Sequence, residues 1–300
     1  MKIRVSYGSA IKLGLLKKRI DCLPTTTYLM TCGSCTGRCL FCAQANGSES
    51  ERLSRIIWPK FTLEDVTERI GDERVCIQCL NYKGLFEDVL SIVERMDNKI
   101  SVSAQPFSRG QLKKLAESVD RVGISIDCAS ESLFRRIKPT YSWKKHWKRL
   151  EEAVDIFGEF KVTSHLIVGL GETEEEMVKV MQRLHEKKVT PSLFAFTPLK
   201  GTPLEHRQKP SLPRYRKLQL AYHLITEEIS NDFRFNEGKI TSFGVKIEDY
   251  IKDPVIYTTR GCPGCNRPYY NESPGGVIYN YPYTPEEEME DILKLWHLNL

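Results

Sequence analysis

The grouping of the cysteines constrains this chain more than any other feature of its sequence. Eight of the ten fall into tight groups, and the full set lies at positions 22, 32, 35, 39, 42, 76, 79, 128, 262 and 265. The residues from Met1 to Val5 lack the long apolar core of a signal peptide, so we expect a cytoplasmic protein in a reducing compartment, where disulfides are rare. Closely spaced cysteines there are typically metal ligands or catalytic thiols.

Composition and charge exclude several other classes of protein. The 300 residues are 41% hydrophobic with a net charge of +5, which argues against an intrinsically disordered chain. No stretch reaches the roughly 18–20 apolar residues that a membrane-spanning helix needs. The balance of 44 Lys and Arg against 39 Asp and Glu is only weakly basic. We therefore expect neither a membrane nor a nucleic acid as partner.

The middle of the chain alternates between strand-like and helix-like patterns. Apolar runs predict six strands, at residues 26–31, 74–78, 99–104, 121–127, 161–168 and 190–196. An amphipathic helical pattern follows each strand, and Thr173 with Glu176 forms a capping box for the fifth helix. Six consecutive βα units imply an α/β fold with a parallel sheet, which either opens into a doubly wound layer or curls toward a barrel.

Composition along the chain divides it into three parts. We predict an amino-terminal extension at 1–25, the βα domain at 26–232 and an irregular carboxy-terminal extension at 233–300, which carries a second cysteine pair. The last part is rich in Tyr, Asn, Gly and Pro, and a short charged helix is expected at 285–297. Its tyrosines form either a lid or a packed surface turn, and they are Tyr269, Tyr270, Tyr279, Tyr281 and Tyr283.

The first cysteine group reads Cys35-Thr-Gly-Arg-Cys39-Leu-Phe-Cys42. Three thiolates on one loop occupy three corners of an iron–sulfur cubane and leave the fourth iron open to a substrate. The loop follows the first predicted strand, at the edge where α/β folds place their active sites. The alternative is a zinc knuckle that adds Cys32, although this spacing is unusual for zinc.

With Phe41 before the last cysteine, this loop resembles the cluster loop of the radical S-adenosylmethionine superfamily. The resemblance implies a partial (β/α)6 TIM-type barrel in which Cys35, Cys39 and Cys42 hold a 4Fe–4S cluster. It also implies that S-adenosylmethionine binds the open iron through its amino and carboxylate groups. In that family a low-potential electron donor drives cleavage of this cosubstrate, and the 5′-deoxyadenosyl radical formed removes hydrogen from an unactivated carbon.

A second stretch supports the resemblance. Residues 165–172 resemble the family element G-x-I-x-G-x-x-E, which contacts adenine, although His165 stands where that element begins with glycine. Taken alone, these glycines also suit an ordinary strand-to-helix turn. The family positions imply a set of cofactor contacts: Phe41, Gln78, Ser125, Asp127, Ile167, Gly169 and Glu172.

Further stretches resemble biotin synthase and lipoyl synthase in particular, over roughly residues 26–232. They are Cys42-Ala-Gln44, Arg74-Val-Cys76, residues 167–173 and residues 200–204. Biotin synthase itself is not expected, because the two later cysteines that bind its second cluster are absent here. Strand three reads Ser101-Val-Ser-Ala-Gln105, and strand five has Thr163 and Ser164 at the corresponding place.

Two C-x2-C pairs take the place of those cysteines. Cys76 and Cys79, with Cys262 and Cys265, make a four-thiolate set, and we predict that it binds an auxiliary iron–sulfur cluster, most simply 4Fe–4S. We expect Cys76 at the mouth of the barrel and the tail folded over that mouth. Left open are a structural zinc at the tail pair and completion of the site by Cys22 and Cys32.

Other residues near these pairs carry weaker expectations. Arg260 and Arg267 either tune a cluster or bind the methionine carboxylate, although such residues are more often solvated. Cys128 is expected to be a lone small core residue or a thiol in the site wall. Ser273 resembles the serine ligand of the bacterial lipoyl synthase's auxiliary cluster, although Ser-Pro-Gly also forms a turn.

The whole chain, including its tail, resembles the archaeal-type lipoyl synthase proteins. These work as a pair of related radical chains that insert two sulfur atoms into an octanoyl group. The resemblance implies a sulfurtransferase that adds sulfur to C6 or C8 of an octanoylated carrier domain or peptide, with a second related chain as partner. Alternatives are another biotin-synthase-like enzyme of sulfur insertion or methylthiolation, a non-catalytic iron–sulfur partner protein, and a zinc-stabilised binding protein.

Overall fold

The computed structural model describes residues 1–272 and 275–297, and for His297 the backbone alone. Ser273, named above as a candidate cluster ligand, lies outside the described residues. Within the described part of the chain, none of the helices has the length and apolar character needed to cross a bilayer.

The described residues form twelve strands and nine α-helices. The strands are β1 Lys2–Val5, β2 Thr27–Met30, β3 Arg52–Leu53, β4 Ile56–Ile57, β5 Lys60–Thr62, β6 Val75–Gln78, β7 Ile100–Ser103, β8 Arg121–Gly123, β9 Val162–Val168, β10 Val189–Ala195, β11 Arg234–Asn236 and β12 Lys239–Ser242. The helices are α1 Tyr7–Lys12, α2 Leu63–Thr67, α3 Leu85–Val93, α4 Arg109–Leu115, α5 Glu131–Ile137, α6 Trp143–Phe157, α7 Glu174–Glu186, α8 Leu212–Thr226 and α9 Met289–His297.

One large sheet organises the molecule. Its eight strands run in the order β10-β9-β8-β7-β6-β2-β1-β5. The six strands from β2 to β10 in this row pair in parallel, whereas β1 pairs antiparallel with both β2 and β5. Helices connect the parallel strands, so the predicted α/β fold with six βα units is confirmed. Residues 1–25, set apart above as an extension, contribute β1 to this same sheet.

Local signals placed most elements within a few residues. Thr173 and Glu176 form the predicted capping box, with each side chain bonded to the other residue's backbone N–H. The fourth parallel strand ends earlier than expected, because β8 stops at Gly123 although a strand was predicted to Asp127. The backbone of Asp127 has a φ of 60°, in the left-handed region, which is incompatible with a continuing strand.

A buried cation packs the carboxy-terminal extension onto α8. Arg216 is 1% exposed, and its guanidinium donates to the carbonyls of Ile278 at 2.7 Å and Tyr279 at 2.5 Å. Tyr270, Tyr279 and Tyr281 are themselves buried. The extension is therefore a packed part of the molecule, and its last helix, α9, lies within the predicted range 285–297.

Candidate functional site

The first cysteine loop leaves the carboxyl end of β2 and is held by close backbone packing. A Cβ added to Gly37 would lie 2.3 Å from Oη of Tyr141, so a larger residue there would displace the Tyr141 side chain. Gln44, which is 1% exposed, fixes the far end of the loop. Its amide donates to the carbonyls of Ser50 at 2.6 Å and Arg52 at 2.7 Å. These contacts anchor the end of the loop that follows Cys42.

Cys35, Cys39 and Cys42 line one cavity of about 140 Å³. The cavity lies at the carboxyl ends of the parallel strands, and other predicted cofactor residues share it: Phe41, Gln78, Ser125 and Asp127. Burial raises the pKa of Cys39 to about 12 and that of Cys42 to about 11. These thiols therefore keep their protons at neutral pH until a metal displaces them.

A buried lysine, which the sequence analysis missed, binds two residues that line this loop cavity. Lys138 is fully buried, and its Nζ donates to Oδ2 of Asp127 at 2.8 Å and to the carbonyl of Ser125 at 2.7 Å. It also lies over the rings of Phe134 and Tyr141. Lysine at the end of an amphipathic helix is usually solvated, so local sequence held no signal for this role.

Replacing Lys138 by Met should destabilise the protein strongly, because the Asp127 carboxylate would remain buried without its partner. Loss of one member of a buried pair typically costs about 3–5 kcal/mol. The double variant Asp127→Asn/Lys138→Met removes both charges and should recover much of that loss. Denaturant unfolding followed by circular dichroism gives the free energies of unfolding. A Lys138→Met variant as stable as the unmodified protein would contradict the buried pair.

A second cavity, of about 150 Å³, opens beside the first and is largely apolar. Its apolar walls include Phe41, Ile167, Phe194, Phe196 and Tyr270. The tail closes one side, because Arg267, Tyr270 and Asn271 line this mouth cavity. The β3–β4 turn holds the tail there, since Ser54 Oγ donates to the Tyr270 carbonyl at 2.9 Å. Part of the tyrosine-rich tail thus covers the barrel mouth.

Gly169 and Glu172 shape the turn between β9 and α7. The buried Glu172 carboxylate accepts the backbone N–H of Gly169 at 2.8 Å, of Leu170 at 2.9 Å and of Gly171 at 3.0 Å. It also pairs with Arg214 at 2.7 Å. Neither Gly169 nor Glu172 lines the loop cavity or the mouth cavity. Gly169 and Glu172 instead fix the backbone of the turn that follows Ile167. Of this motif, Ile167 is a residue that lines the mouth cavity.

Three cysteines of the predicted auxiliary set meet inside the barrel. Cys76, Cys262 and Cys265 line one inner cavity of about 30 Å³, whereas Cys79 lines the loop cavity. Cys76 was expected at the barrel mouth, but it is the second residue of β6 and lies toward the amino end of that strand. Side chains alternate along an extended chain, so cysteines three residues apart point in opposite directions.

Polar groups contact each of these inner sulfurs. Gln78 Nε2 donates to Cys76 Sγ at 3.1 Å, and the hydroxyl of Tyr28 lies 3.2 Å from Cys265 Sγ. The hydroxyl of Thr163 lies 3.6 Å from Cys262 Sγ. Burial raises the pKa of Cys76 to about 11, so this thiol too is protonated in the absence of a metal.

Arg267 brings a positive charge to the same cavity. It is buried, against the expectation of a solvated residue, and its guanidinium lies 4.0 Å from Cys76 Sγ. Throughout residues 1–272 and 275–297 no carboxylate pairs with it. Burial opposes the charge, but the neighbouring Cys76, Tyr270 and Cys265 raise the pKa of Arg267 above its ordinary value. The guanidinium lies over the rings of Tyr28, Phe194 and Tyr270, and thiolates or a thiolate-bound cluster would add an anionic partner.

His165 separates the inner cavity from the two outer ones. With Gln78, it lines all three cavities. Burial, then the charges of Arg267 and Lys138, lowers the pKa of His165 well below its ordinary value, so the imidazole is neutral. Its position on β9 was visible in the sequence only as a departure from the glycine of the family element.

The remaining cysteines lie elsewhere. Cys128 is buried in an apolar cluster with Leu133 and Phe134, as expected of a small core residue. Cys22 contacts Asn266 Nδ2 at 3.7 Å. Neither Cys22 nor Cys32 lines the inner cavity, where the alternative ligand set placed them. Among the side chains that the structure describes, no three of Cys, His, Asp or Glu converge on the position of a single metal ion.

Comparison with known proteins identifies the family to which this chain belongs. A model described as the radical SAM superfamily matches residues 29–184, which is more than half of the chain. The chain belongs to the radical SAM superfamily. Membership implies a 4Fe–4S cluster and S-adenosylmethionine as cofactors, in a fold whose β2 loop carries the three cysteines described above.

Curated relatives include enzymes of several activities. A 7,8-didemethyl-8-hydroxy-5-deazariboflavin synthase from Methanocaldococcus jannaschii is 26% identical over 182 residues, covering 57% of this chain and 51% of the relative. A lipoyl synthase from Haemophilus influenzae is 27% identical over 184 residues, covering 55% of each chain. A biotin synthase from Sulfurihydrogenibium sp. is 25% identical over 184 residues, covering 57% of this chain and 54% of the relative. The chain spans about half the length of the curated relatives it matches.

Solved structures share the fold. The FeFe-hydrogenase maturase HydG superposes with a TM-score of 0.54 at 12% identity, covering 67% of this chain and 49% of that protein. Methylornithine synthase PylB superposes with a TM-score of 0.52 at 16% identity, covering 65% and 60% respectively. These likenesses confirm the partial TIM-type barrel and, at such identities, nothing beyond the fold. This radical SAM chain is thus related to proteins named lipoyl synthase and biotin synthase, among others.

Proposed function

We propose that this radical SAM protein is a sulfur-insertion enzyme, one component of an archaeal-type lipoyl synthase acting on C6 or C8 of a protein-bound octanoyl chain. The observation that carries the proposal is a pair of cysteine sites in one barrel. The first lines the loop cavity at the carboxyl ends of the strands, and the second lines the inner cavity. Among the residues that the structure describes, only Gln78 and His165 line both of these and the mouth cavity.

In this proposal Cys35, Cys39 and Cys42 hold the 4Fe–4S cluster that the family implies. The donor set fits, because three soft thiols face one cavity and the positive charge of Lys138 lies against its wall. When bound, the cluster with S-adenosylmethionine supplies hydrogen-atom abstraction, and a second cluster supplies sulfur. Phe41 and Ile167 would pack against the adenine, while Gln78, Ser125 and Asp127 would bind the polar parts of the cosubstrate.

The second cluster would bind at the inner cavity through Cys76, Cys262 and Cys265. Arg267 fits such a group, because its buried charge would gain an anionic partner there. The cavity measures about 30 Å³, and the Gln78 amide and the Tyr28 hydroxyl contact two of its three sulfurs. Cys79, in the original four-thiolate prediction, faces the loop cavity instead.

The mouth cavity suits an acyl chain. Its walls are mainly apolar, and the tail residues Tyr270 and Asn271 shield it from solvent. Exclusion of water and of stray hydrogen donors matters because a carbon-centred radical reacts with neighbouring groups. An octanoyl chain entering here would run from the barrel mouth toward the His165 wall, with the radical source on one side and the sulfur source beyond.

Anaerobic turnover with an octanoylated peptide and a low-potential reductant tests the proposal. We expect the product mass to show one added sulfur from this chain alone and two when a related radical SAM chain is present. A methylthio mass would assign methylthiolation. Formation of 5′-deoxyadenosine without any sulfur product would reject sulfur insertion into this substrate, and absence of 5′-deoxyadenosine would indicate a non-catalytic iron–sulfur partner.

A further inference from the structure

The feature that the family resemblance leaves unexplained is His165. It is the fourth of seven residues in β9, where the family element has glycine. Its side chain fills part of the barrel interior and forms the wall that the loop, mouth and inner cavities share. Gln78 also lines all three cavities, so these two side chains together lie between the two cysteine sites.

The His165 imidazole has no hydrogen-bond partner in the part of the chain that the structure describes. Its only described ring contact is with Phe194, at 5.1 Å between centroids and 72° between planes. The backbone of His165, by contrast, is satisfied, because its carbonyl accepts the Asp127 N–H at 2.9 Å. His165 is half-buried, so its ring nitrogens are accessible within the cavities and are free to bind a ligand.

The inner cavity lacks a fourth protein ligand. Cys76, Cys262 and Cys265 face it, while Cys79 faces the loop cavity. Among the other residues that line the inner cavity, His165 carries an imidazole, a common iron ligand, whereas the phenol of Tyr28 already lies 3.2 Å from Cys265 Sγ. The rest offer hydroxyl, amide, guanidinium or apolar groups, and the amide of Gln78 already bonds to Cys76 Sγ.

We propose that His165 is the fourth ligand of the auxiliary cluster, completing a set of three cysteines and one histidine in which Cys79 takes no part. This inference rests on the proposed function, since it requires a cluster at the inner cavity. A neutral imidazole in place of a thiolate makes the cluster less negative and raises its reduction potential, as in centres where histidine replaces cysteine.

Pulsed electron paramagnetic resonance tests the ligand directly. The variant Cys35→Ala/Cys39→Ala/Cys42→Ala leaves the inner site as the sole cluster site, and it is reconstituted anaerobically and reduced. We expect about four irons per chain and a hyperfine coupling from a directly bound nitrogen. Replacing ¹⁴N by ¹⁵N in the histidines should scale that coupling by the ratio of the gyromagnetic ratios of the two isotopes.

Two further substitutions in the same background serve as controls. His165→Cys should keep about four irons, because a thiolate replaces the imidazole, and should lose the nitrogen coupling. Cys79→Ala should keep both the irons and the coupling. Loss of the cluster in Cys79→Ala, or a nitrogen coupling that survives His165→Cys, would overturn the assignment.

The remaining outcomes separate this inference from the proposed function. A cluster of about four irons without histidine nitrogen coupling removes His165 as ligand and leaves the auxiliary cluster in place. A folded protein, shown by circular dichroism, that binds no iron at the inner site removes both the auxiliary cluster and its histidine ligand.

Discussion

Replacing Cys35, Cys39 and Cys42 together by alanine is expected to abolish cleavage of S-adenosylmethionine. These thiols line the loop cavity together with Gln78 and Asp127, so they are placed to bind a cluster beside the cosubstrate. The loss should be complete to the limit of detection, with about four of about eight irons missing per chain. Formation of 5′-deoxyadenosine under anaerobic reduction, measured by mass spectrometry, gives the result.

The matched control for this triple variant is Cys128→Ala. Cys128 is fully buried but lies in an apolar cluster, so its removal takes away a small core side chain and no ligand. We expect the iron content and the rate of 5′-deoxyadenosine formation to stay unchanged. A triple variant that still cleaves S-adenosylmethionine would show that the loop cysteines do not hold the catalytic cluster.

The second large effect is expected from Cys262→Ala/Cys265→Ala. This double variant removes two of the three thiols of the inner cavity and leaves the loop cavity intact. Iron should fall from about eight to about four per chain, and sulfur addition to the octanoyl peptide should disappear. Cleavage of S-adenosylmethionine should continue, because its residues lie on the other side of the His165 wall. Iron analysis, product mass and 5′-deoxyadenosine together separate the two sites.

Cys22→Ser/Cys32→Ser is the corresponding control, since neither thiol lines the inner cavity. It should retain both the iron and the sulfur product. If it loses half of its iron while Cys262→Ala/Cys265→Ala keeps all of it, the auxiliary site has been placed on the wrong cysteines. A double variant that loses 5′-deoxyadenosine formation as well would show that the tail supports the radical site.

Much of the fold followed from local patterns. The six parallel strands were placed within a few residues, because apolar runs between turn residues are a local signal. The capping box at Thr173 was equally local, since its partner Glu176 stands three residues away. β1 was missed, because four residues at the start of the chain show no strand pattern until β2 and β5 pair with them.

The sequence likewise predicted only part of the candidate site. Cys35, Cys39 and Cys42 were found from their spacing, and the structure brings them together in one cavity. The burial of Lys138 and of Arg267 could not be predicted from the sequence, because elements distant along the chain bury both side chains. The alternation of side chains along β6 was a usable signal that Cys76 and Cys79 diverge, and the four-thiolate prediction did not apply it.

The sequence by itself determined the order of the six parallel strands and the grouping of Cys35, Cys39 and Cys42, because both depend on residues only a few positions apart. The tertiary structure decided which groups face one another. Arg267 reaches Cys76 across 191 residues of sequence, and Thr163 reaches Cys262 across 99. Such contacts depend on which side of each strand faces the lumen and on the path of the tail through the barrel. Global packing sets both, and no local pattern records them.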